Sequence, residues 1–519
     1  MSFIAGWKHS SVFLLAFLGS WFALPAAEPV KVEMFVRLPP FIVETTQGPP
    51  WRYGQIPEFE ILSRCDKADT DRLVLAYHRA KRLLDTVLPE RFQVALDVPQ
   101  TLIFYDEKSW SAAEKDAMDA LFRRKFAPPP GTRPDPPGGS PGAKGFFDNL
   151  MLTDADVIAT FTVVSDRSVD LDETYLTPQY VRTLLVSREP GLPKWLIAGF
   201  LRVYDRIRFG DDKIRLGAKT WQFGQGPVLT PRFAAPEKWL PPLADFFSEQ
   251  ALREGGDPKT WLNQAELFVA WGIDPARAKR VETFWRFVEL TRGEPPTERN
   301  FQECFGFGFA EAARQMAAYA VSSHGAEWPF PPEKARLRNL RTRWATDGEI
   351  ARIKGDWERL EARYVRQHAP DMESTYLDQA RRTLHEAYDL GDRDPRLLAV
   401  LGLLEEDAGN KTAAREFLEA AVGQSVVRPR AYYELARLRY DAVRGRATDD
   451  GGKLTPAEAS SILAPLLAGS RQAPPLAAAY ELMAHVSFRS TEPPTAEVRS
   501  ALAEGERLFP GRKLGAGGD

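Results

Sequence analysis

Six histidines, two cysteines and a few isolated acids are the residues of this 519-residue chain that could bind a metal or activate water. A helix that carries a catalytic zinc needs two histidines four positions apart, because i and i+4 share one face and both rings then reach one tetrahedral ion. No two of His9, His78, His324, His368, His385 and His485 have that spacing. Cys65 and Cys304 are too few for a cysteine zinc site. They either pair in an oxidising compartment or remain buried thiols, and both readings stand. Asp172 and Glu173 open a predicted helix, where carboxylates complement the helix dipole, so capping is their expected role ahead of an acid/base pair. His78, among Tyr77, Arg79 and Arg82, reads as a solvated or hydrogen-bonded side chain. Ser165, Ser187, Ser322 and Ser323 lie in no nucleophile elbow. GQGP (224–227) and GFG (306–308) are too short for a dinucleotide frame and lack the P-loop lysine.

The elements that would position such groups follow from patterning. Residues 11–27, SVFLLAFLGSWFALPAA, form an apolar run after Lys8 and end in small residues, the layout of a secretory leader removed near Ala27. The run is shorter than the roughly 20 residues needed to span a bilayer, and no later stretch is long and apolar enough. An exported chain, periplasmic or extracellular, with no transmembrane anchor after cleavage is therefore expected. PFIVETT and PEFEILSRC read as short strands separated by the turn-rich GPPWRYGQ. A helix follows from Asp66 to about Leu88, with Leu73, Leu75, Ala76, Leu83 and Val87 on one face. TLIFY (101–105) and DVIATFTVV (156–164) read as strands, and 109–126 as a helix. Residues 127–142 contain seven prolines and four glycines and so form an exposed loop. From about 174 onward the chain is helix-rich.

Bulk charge excludes one class of partner. Lys and Arg total 68 against 71 acids, for a net charge of −3, without the basic excess that nucleic-acid binding requires. The tryptophans between 195 and 285 belong mostly in the core or at helix junctions.

A repeat emerges beyond residue 335. Leu398, Leu401, Gly402, Ala414, Leu418 and Ala421 are spaced as the inward positions of two antiparallel helices. A step of about 34 residues carries the pattern forward to Tyr432, Leu435 and Ala436, and back to Ala380, Leu384 and Ala387. Ala459, Leu463 and Leu466 continue it after an insertion containing DDGGK (449–453). Tyr480, Met483, Ala484, Ala496 and Ala503 complete it. Small residues at these sites let paired helices approach closely, so a helical-hairpin solenoid resembling tetratricopeptide repeats is expected.

The segment 171–204, LDETYLTPQYVRTLLVSREPGLPKWLIAGFLRVY, reads as helix, Pro-Gly turn, helix. It resembles exported gluzincin-related, peptidase MA-like proteins, in which the first helix carries H-E-x-x-H and a following L-P-x-W-L-x-E-G segment leads to a further metal-binding Glu. LPPLADFFS (240–248), QAELFVAWGI (264–273) and residues 280–320 resemble the later segments of that family, so the likeness covers roughly 98–325. The resemblance implies a gluzincin-like domain whose chemistry is lost. Pro178 and Arg182 stand at the two His positions, Gln179 at the catalytic Glu, Ala198 at the Glu of E-G, and Arg202 at the downstream ligand. Proline and guanidinium do not ligate zinc, and neutral Gln is a poor base.

The expected organisation is a leader (1–27), a β-rich lead-in with a helix (28–97), a degenerate gluzincin-like domain (98–325) and helical repeats (335–510). The fold class is an α+β metallopeptidase-like domain, mainly α after residue 170, followed by an all-α tetratricopeptide-like solenoid. No catalytic residue, metal or cofactor is assigned. Arg182, Trp195 and Arg202 are candidates for lining the old cleft, where guanidiniums would favour an acidic peptide or carboxylate. The expected function is a non-catalytic peptide- or protein-binding or scaffolding module, with partners held through the repeats. The alternative is a peptidase-like hydrolase using a different site in the same cleft, with Glu173 and His78 as its candidate residues. A third reading is a structural subunit of an envelope complex.

Overall fold

A computed structural model describes residues 50–106, 149–164, 173–187, 191–210, 212–219, 221–223, 226–227, 240–253, 257–322, 326–330, 340–444, 453–510 and 512. The leader at 1–27, PFIVETT, the helix at 109–126 and the Pro/Gly loop at 127–142 lie outside the described residues. The chain is mixed α+β, with a small sheet and a helical C-terminal region.

The strands are β1 (Arg52–Gln55), β2 (Phe59–Ser63), β3 (Gln100–Asp106), β4 (Asn149–Thr153), β5 (Ile158–Val164), β6 (Ile207–Phe209), β7 (Lys213–Leu216), β8 (Gln222–Phe223), β9 (Gly226–Pro227), β10 (Glu327–Pro329) and β11 (Arg343–Trp344). Six of them form one sheet in the order β11-β1-β2-β3-β5-β4. Strands β2, β3 and β5 run parallel, while β1, β4 and β11 pair antiparallel at the two sides. RYGQ, read from sequence as turn, is strand β1, because pairing with β2 satisfies its backbone and buries Tyr53. The pairing of β2 with β3 crosses the expected boundary at residue 97, and β11 brings the chain beyond 335 back onto β1. The lead-in and the central region therefore share one sheet.

Strand alternation sorts β3 onto two faces. Leu102 and Phe104 join Phe59 and Ile61 of β2, and Leu73, Tyr77 and Leu84 of helix α1 (Lys67–Val87), in the main core. That core continues through α2 (Glu173–Val186), α3 (Lys194–Tyr204), α4 (Leu243–Phe247), α5 (Pro258–Gly272), α6 (Ala278–Gly293), α7 (Glu298–Phe305) and α8 (Phe309–Ser322). Tyr105 points the other way. Its ring lies 5.8 Å from Trp51 and 6.4 Å from Phe161, and Phe161 lies 5.6 Å from Trp357 of helix α9 (Asp347–His368).

Beyond α9 come α10 (Glu373–Asp389), α11 (Pro395–Asp407), α12 (Lys411–Gly423), α13 (Pro429–Arg444), α14 (Pro456–Gly469), α15 (Ala477–Arg489) and α16 (Ala496–Leu508). They pack as four successive antiparallel pairs, α9/α10 to α15/α16. Leu398, Leu401, Gly402, Ala414, Leu418, Ala421, Tyr432, Leu435 and Ala436 are all buried. The last two pairs depart from the expected phase. Ile462 is buried where Leu463 is only half-buried. Ala496 and Ala503 face solvent, and Val498 and Gly505 are the buried residues of α16.

The first helices of the first three pairs are buried on both sides. Helices α9, α11 and α13 are held between their own partners and the second face of the sheet, and charge marks the seam. Glu60 of β2 accepts from Arg352 of α9 at 2.9 and 2.5 Å and from Arg396 of α11 at 3.2 Å. Asp154 and Asp156, in the β4–β5 turn, meet four arginines. Asp154 pairs with Arg359 at 2.9 Å, with Arg363 at 3.1 Å and with Arg430, while Asp156 pairs with Arg428 at 3.2 Å and accepts the Arg430 backbone N–H at 2.7 Å. Asp356 and Asp407 complete the network from the helices. The inner helix face that the sequence leaves open for a partner is thus covered, over these three helices, by the protein's own sheet.

Two glycines set helix spacing. A Cβ on Gly402 would come within 2.6 Å of Leu418 Cγ, fixing α11 against α12. A Cβ on Gly199 of α3 would lie 2.3 Å from the backbone oxygen of Ala265 in α5, which cannot yield as a side chain would. Gly199→Ala is therefore expected to cost about 1–3 kcal/mol of stability through overpacking. Urea denaturation measures it, and an unchanged midpoint would show that α3 and α5 separate freely.

Candidate functional site

Helices α2 and α3 carry the positions where the sequence resemblance places lost chemistry. Helix α2 buries Tyr180, Val181, Leu184 and Leu185 against the main core. The Tyr180 hydroxyl donates to Gln100 Oε1 at 2.8 Å, and its ring meets Tyr77 of α1 edge-on at 5.1 Å. The opposite side of α2 carries Gln179 and Arg182, both exposed, and Pro178 is half-buried inside the helix. Proline there removes one backbone donor from the helical ladder. Tyr204 at the end of α3 donates to Thr177 Oγ1 at 2.7 Å and ties the two helices together.

On α3, Trp195, Leu196, Gly199, Phe200 and Val203 face inward. Trp195 leaves the set of cleft-lining residues. It is 3% exposed and lies among Phe247, Phe268, Phe284 and Phe287, with ring centroids 5.1–6.2 Å away, because this stretch of the core is filled by aromatic side chains packed edge-on and tilted. Ala198 and Arg202, one turn apart, share the half-exposed side of α3.

Arg202 is engaged with the protein rather than with its α2 counterparts. Its Nε donates to Glu266 Oε2 at 3.0 Å, and a terminal nitrogen donates to Asn263 Oδ1 at 3.1 Å, both on α5. Glu266, with its side chain 1% exposed, also takes Arg206 on Oε1 at 2.8 Å and a short contact from Lys219 on Oε2. Arg206 additionally donates to the Gly217 carbonyl. Lys219 Nζ sits 4.6 Å from the centroid of the Trp221 ring, and the Arg206 guanidinium carbon sits 5.4 Å from it. Burial lowers the Lys219 ammonium from its ordinary value, and Arg202 and Arg206 add to that against the opposing pull of Glu266. This cluster was missed in the sequence reading. The available signal was Glu266 itself, an acid inside the apolar run QAELFVAWG.

The other titratable candidates stand apart. His78 is buried on α1, His368 stacks on Tyr364, His385 lies 3.8 Å from Asp389, and His485 bonds the Tyr440 hydroxyl at 2.7 Å. His9, His324 and Asp172 lie outside the described residues, as does the Glu173 side chain. Among the described residues no group of three His, Cys, Asp or Glu side chains is placed to hold a metal ion. Cys65 is buried, Cys304 is half-buried, and the two are not bonded to each other. Among the described residues no helix is long and apolar enough to cross a membrane.

No family model, curated protein or solved structure matches the chain.

Proposed function

We propose that the chain is an exported, non-catalytic protein in which a degenerate metallopeptidase-like domain, joined to tetratricopeptide-like repeats, acts as a peptide- or protein-binding or scaffolding module. One observation carries this reading. The position where the resemblance expects a metal-binding acid holds Arg202, and Arg206 and Lys219 crowd the same carboxylate, so the local field favours anions over a divalent cation. The loss of base and ligand types at Pro178, Gln179 and Arg182, placed by the same resemblance, agrees with it.

The repeats take a narrower role than an open groove. With the inner faces of α9, α11 and α13 covered by the sheet, the surfaces left for a protein partner include the outer helices α10, α12, α14 and α16, their connecting turns and the exposed side of α15. Leu390, 79% exposed at the end of α10, is one apolar side chain available there.

Metal analysis tests the proposal. Purified protein incubated with one equivalent of zinc and then desalted is expected to retain far less than stoichiometric metal and to show no chelator-sensitive proteolysis. Stoichiometric zinc whose removal abolishes peptide cleavage would overturn it.

A further inference from the structure

We propose that Lys219, Arg202 and Arg206 form a binding site for a compact oxyanion, a carboxylate or phosphoryl group, seated between the Lys219 ammonium and the Arg202 guanidinium. The argument begins with charge. Three cations converge on one carboxylate, and Lys219 and Arg202 bond the same oxygen, Glu266 Oε2, so their nitrogens are close neighbours. Asp205 is near enough for its charge to interact with Arg202 and Glu266, but among the described residues it makes no ion pair. The cluster therefore keeps a positive excess.

Unused donors point the same way. Arg202 spends Nε on Glu266 and one terminal nitrogen on Asn263, and its other terminal nitrogen has no acceptor among the described residues. Lys219 spends one of three N–H bonds on Glu266 and has no second acceptor among the described residues. Arg206 is fully committed to Gly217 and Glu266 and serves as a fixed charge behind the other two.

Access and surroundings complete the site. The side chains of Arg202 and Lys219 remain 38% and 20% exposed, so a solute reaches them, whereas Glu266 is 1% exposed and holds them from below. The buried Trp221 ring beneath Lys219 and Arg206 excludes water from one side, which strengthens a charge-assisted bond. A fork of guanidinium beside a point-like ammonium suits an anion with two or more oxygens. This site does not depend on the peptidase resemblance, because every contact belongs to the observed α3–α5 seam and the Lys219 segment.

Isothermal titration of the full chain at fixed ionic strength, with inorganic phosphate in one arm and succinate in another, tests the proposal. Saturable heat is expected in at least one arm; phosphate alone would assign a phosphoryl ligand and succinate alone a carboxylate. Lys219→Met is expected to weaken that binding about tenfold or more, the scale of one lost charge-assisted bond. Arg202→Gln provides a second variant should Lys219→Met fail to fold. Absence of binding in both arms, or undiminished binding by a folded Lys219→Met or Arg202→Gln protein, would overturn the proposal.

Discussion

Asp154→Ala is expected to lower stability by about 3–5 kcal/mol, the scale for removing one partner of a buried ion pair. The Asp154 side chain is 1% exposed and pairs with Arg359, Arg363 and Arg430, two of which are themselves nearly sealed from water. Without Asp154, Arg359 leans more heavily on Asp356 and Asp407, and Arg430 on Asp407. The magnitude comes from leaving charge uncompensated in a poorly solvated seam, since the net worth of an intact buried pair is much smaller. The pH dependence separates this from simple loss of packing. Burial alone would raise the Asp154 carboxyl, but the charges of Arg430, Arg359 and Arg363 outweigh it and hold the group well below the usual carboxylate range. A lowered folded-state value stabilises above the unfolded value of about 3.9 and is lost as pH falls through the folded one. The difference between wild type and Asp154→Ala should therefore be level at neutral pH and shrink in acid. Urea denaturation of both proteins across that range is the measurement. A loss under about 1 kcal/mol at pH 7 would show that the apolar contacts around Trp357, rather than the ionic seam, hold the sheet on the helices.

That seam also shows why part of the fold could be read in the sequence and part could not. The helical pairs were legible because their signal is local: Ala414, Leu418 and Ala421 lie within one helix, and Leu398, Leu401 and Gly402 lie in the helix before it. The same spacing misled at the end of the chain, where Ala496 and Ala503 fit a small-residue template while the burial falls on Val498 and Gly505. Strand β5 is buried along its whole length, which marks a sheet covered on both faces, but the chain does not say what covers it. The covering helices come some 190 residues later, and the Arg430–Asp154 pair spans 276 positions. Nothing local marks the arginines of α9 and α13 as buried, and only the tertiary approach of the β4–β5 turn reveals their role. The candidate site divides the same way. Arg202 stands out through the family resemblance alone, whereas Arg206, Lys219 and Glu266 come from three segments that only folding brings together.

Glu361→Gln is expected to stabilise the protein at pH 8 by about 1–3 kcal/mol, the scale of removing the ionisation penalty of a carboxyl whose folded-state value is raised. Glu361 lies on α9 and is fully enclosed. Its Oε1 accepts from Trp357 Nε1 at 2.5 Å, and Oε2 has no hydrogen-bond partner among the described residues. Burial, reinforced by the negative charge of Glu358 one turn earlier, pushes its carboxyl well above the ordinary range, while the Trp357 bond opposes this only weakly. Glu358 is raised too, chiefly by burial. The sign follows from linkage. A folded-state value raised above the unfolded one, about 4.3 for Glu, stabilises fully below the unfolded value, and that contribution is lost as pH rises through the folded one. The wild-type carboxylate is therefore increasingly disfavoured in the folded chain as pH rises, whereas Gln keeps an acceptor for Trp357 without an ionisable proton. The gain should be near zero at pH 4 and should widen toward pH 8, so both variants approach wild type in acid but depart from it with opposite sign at neutral pH. Midpoints for the two proteins measured at pH 4, 6 and 8 decide the matter. Parallel pH profiles, or a less stable variant at pH 8, would mean that the Glu361 carboxylate is solvated in the folded chain and that α9 does not seal it from water.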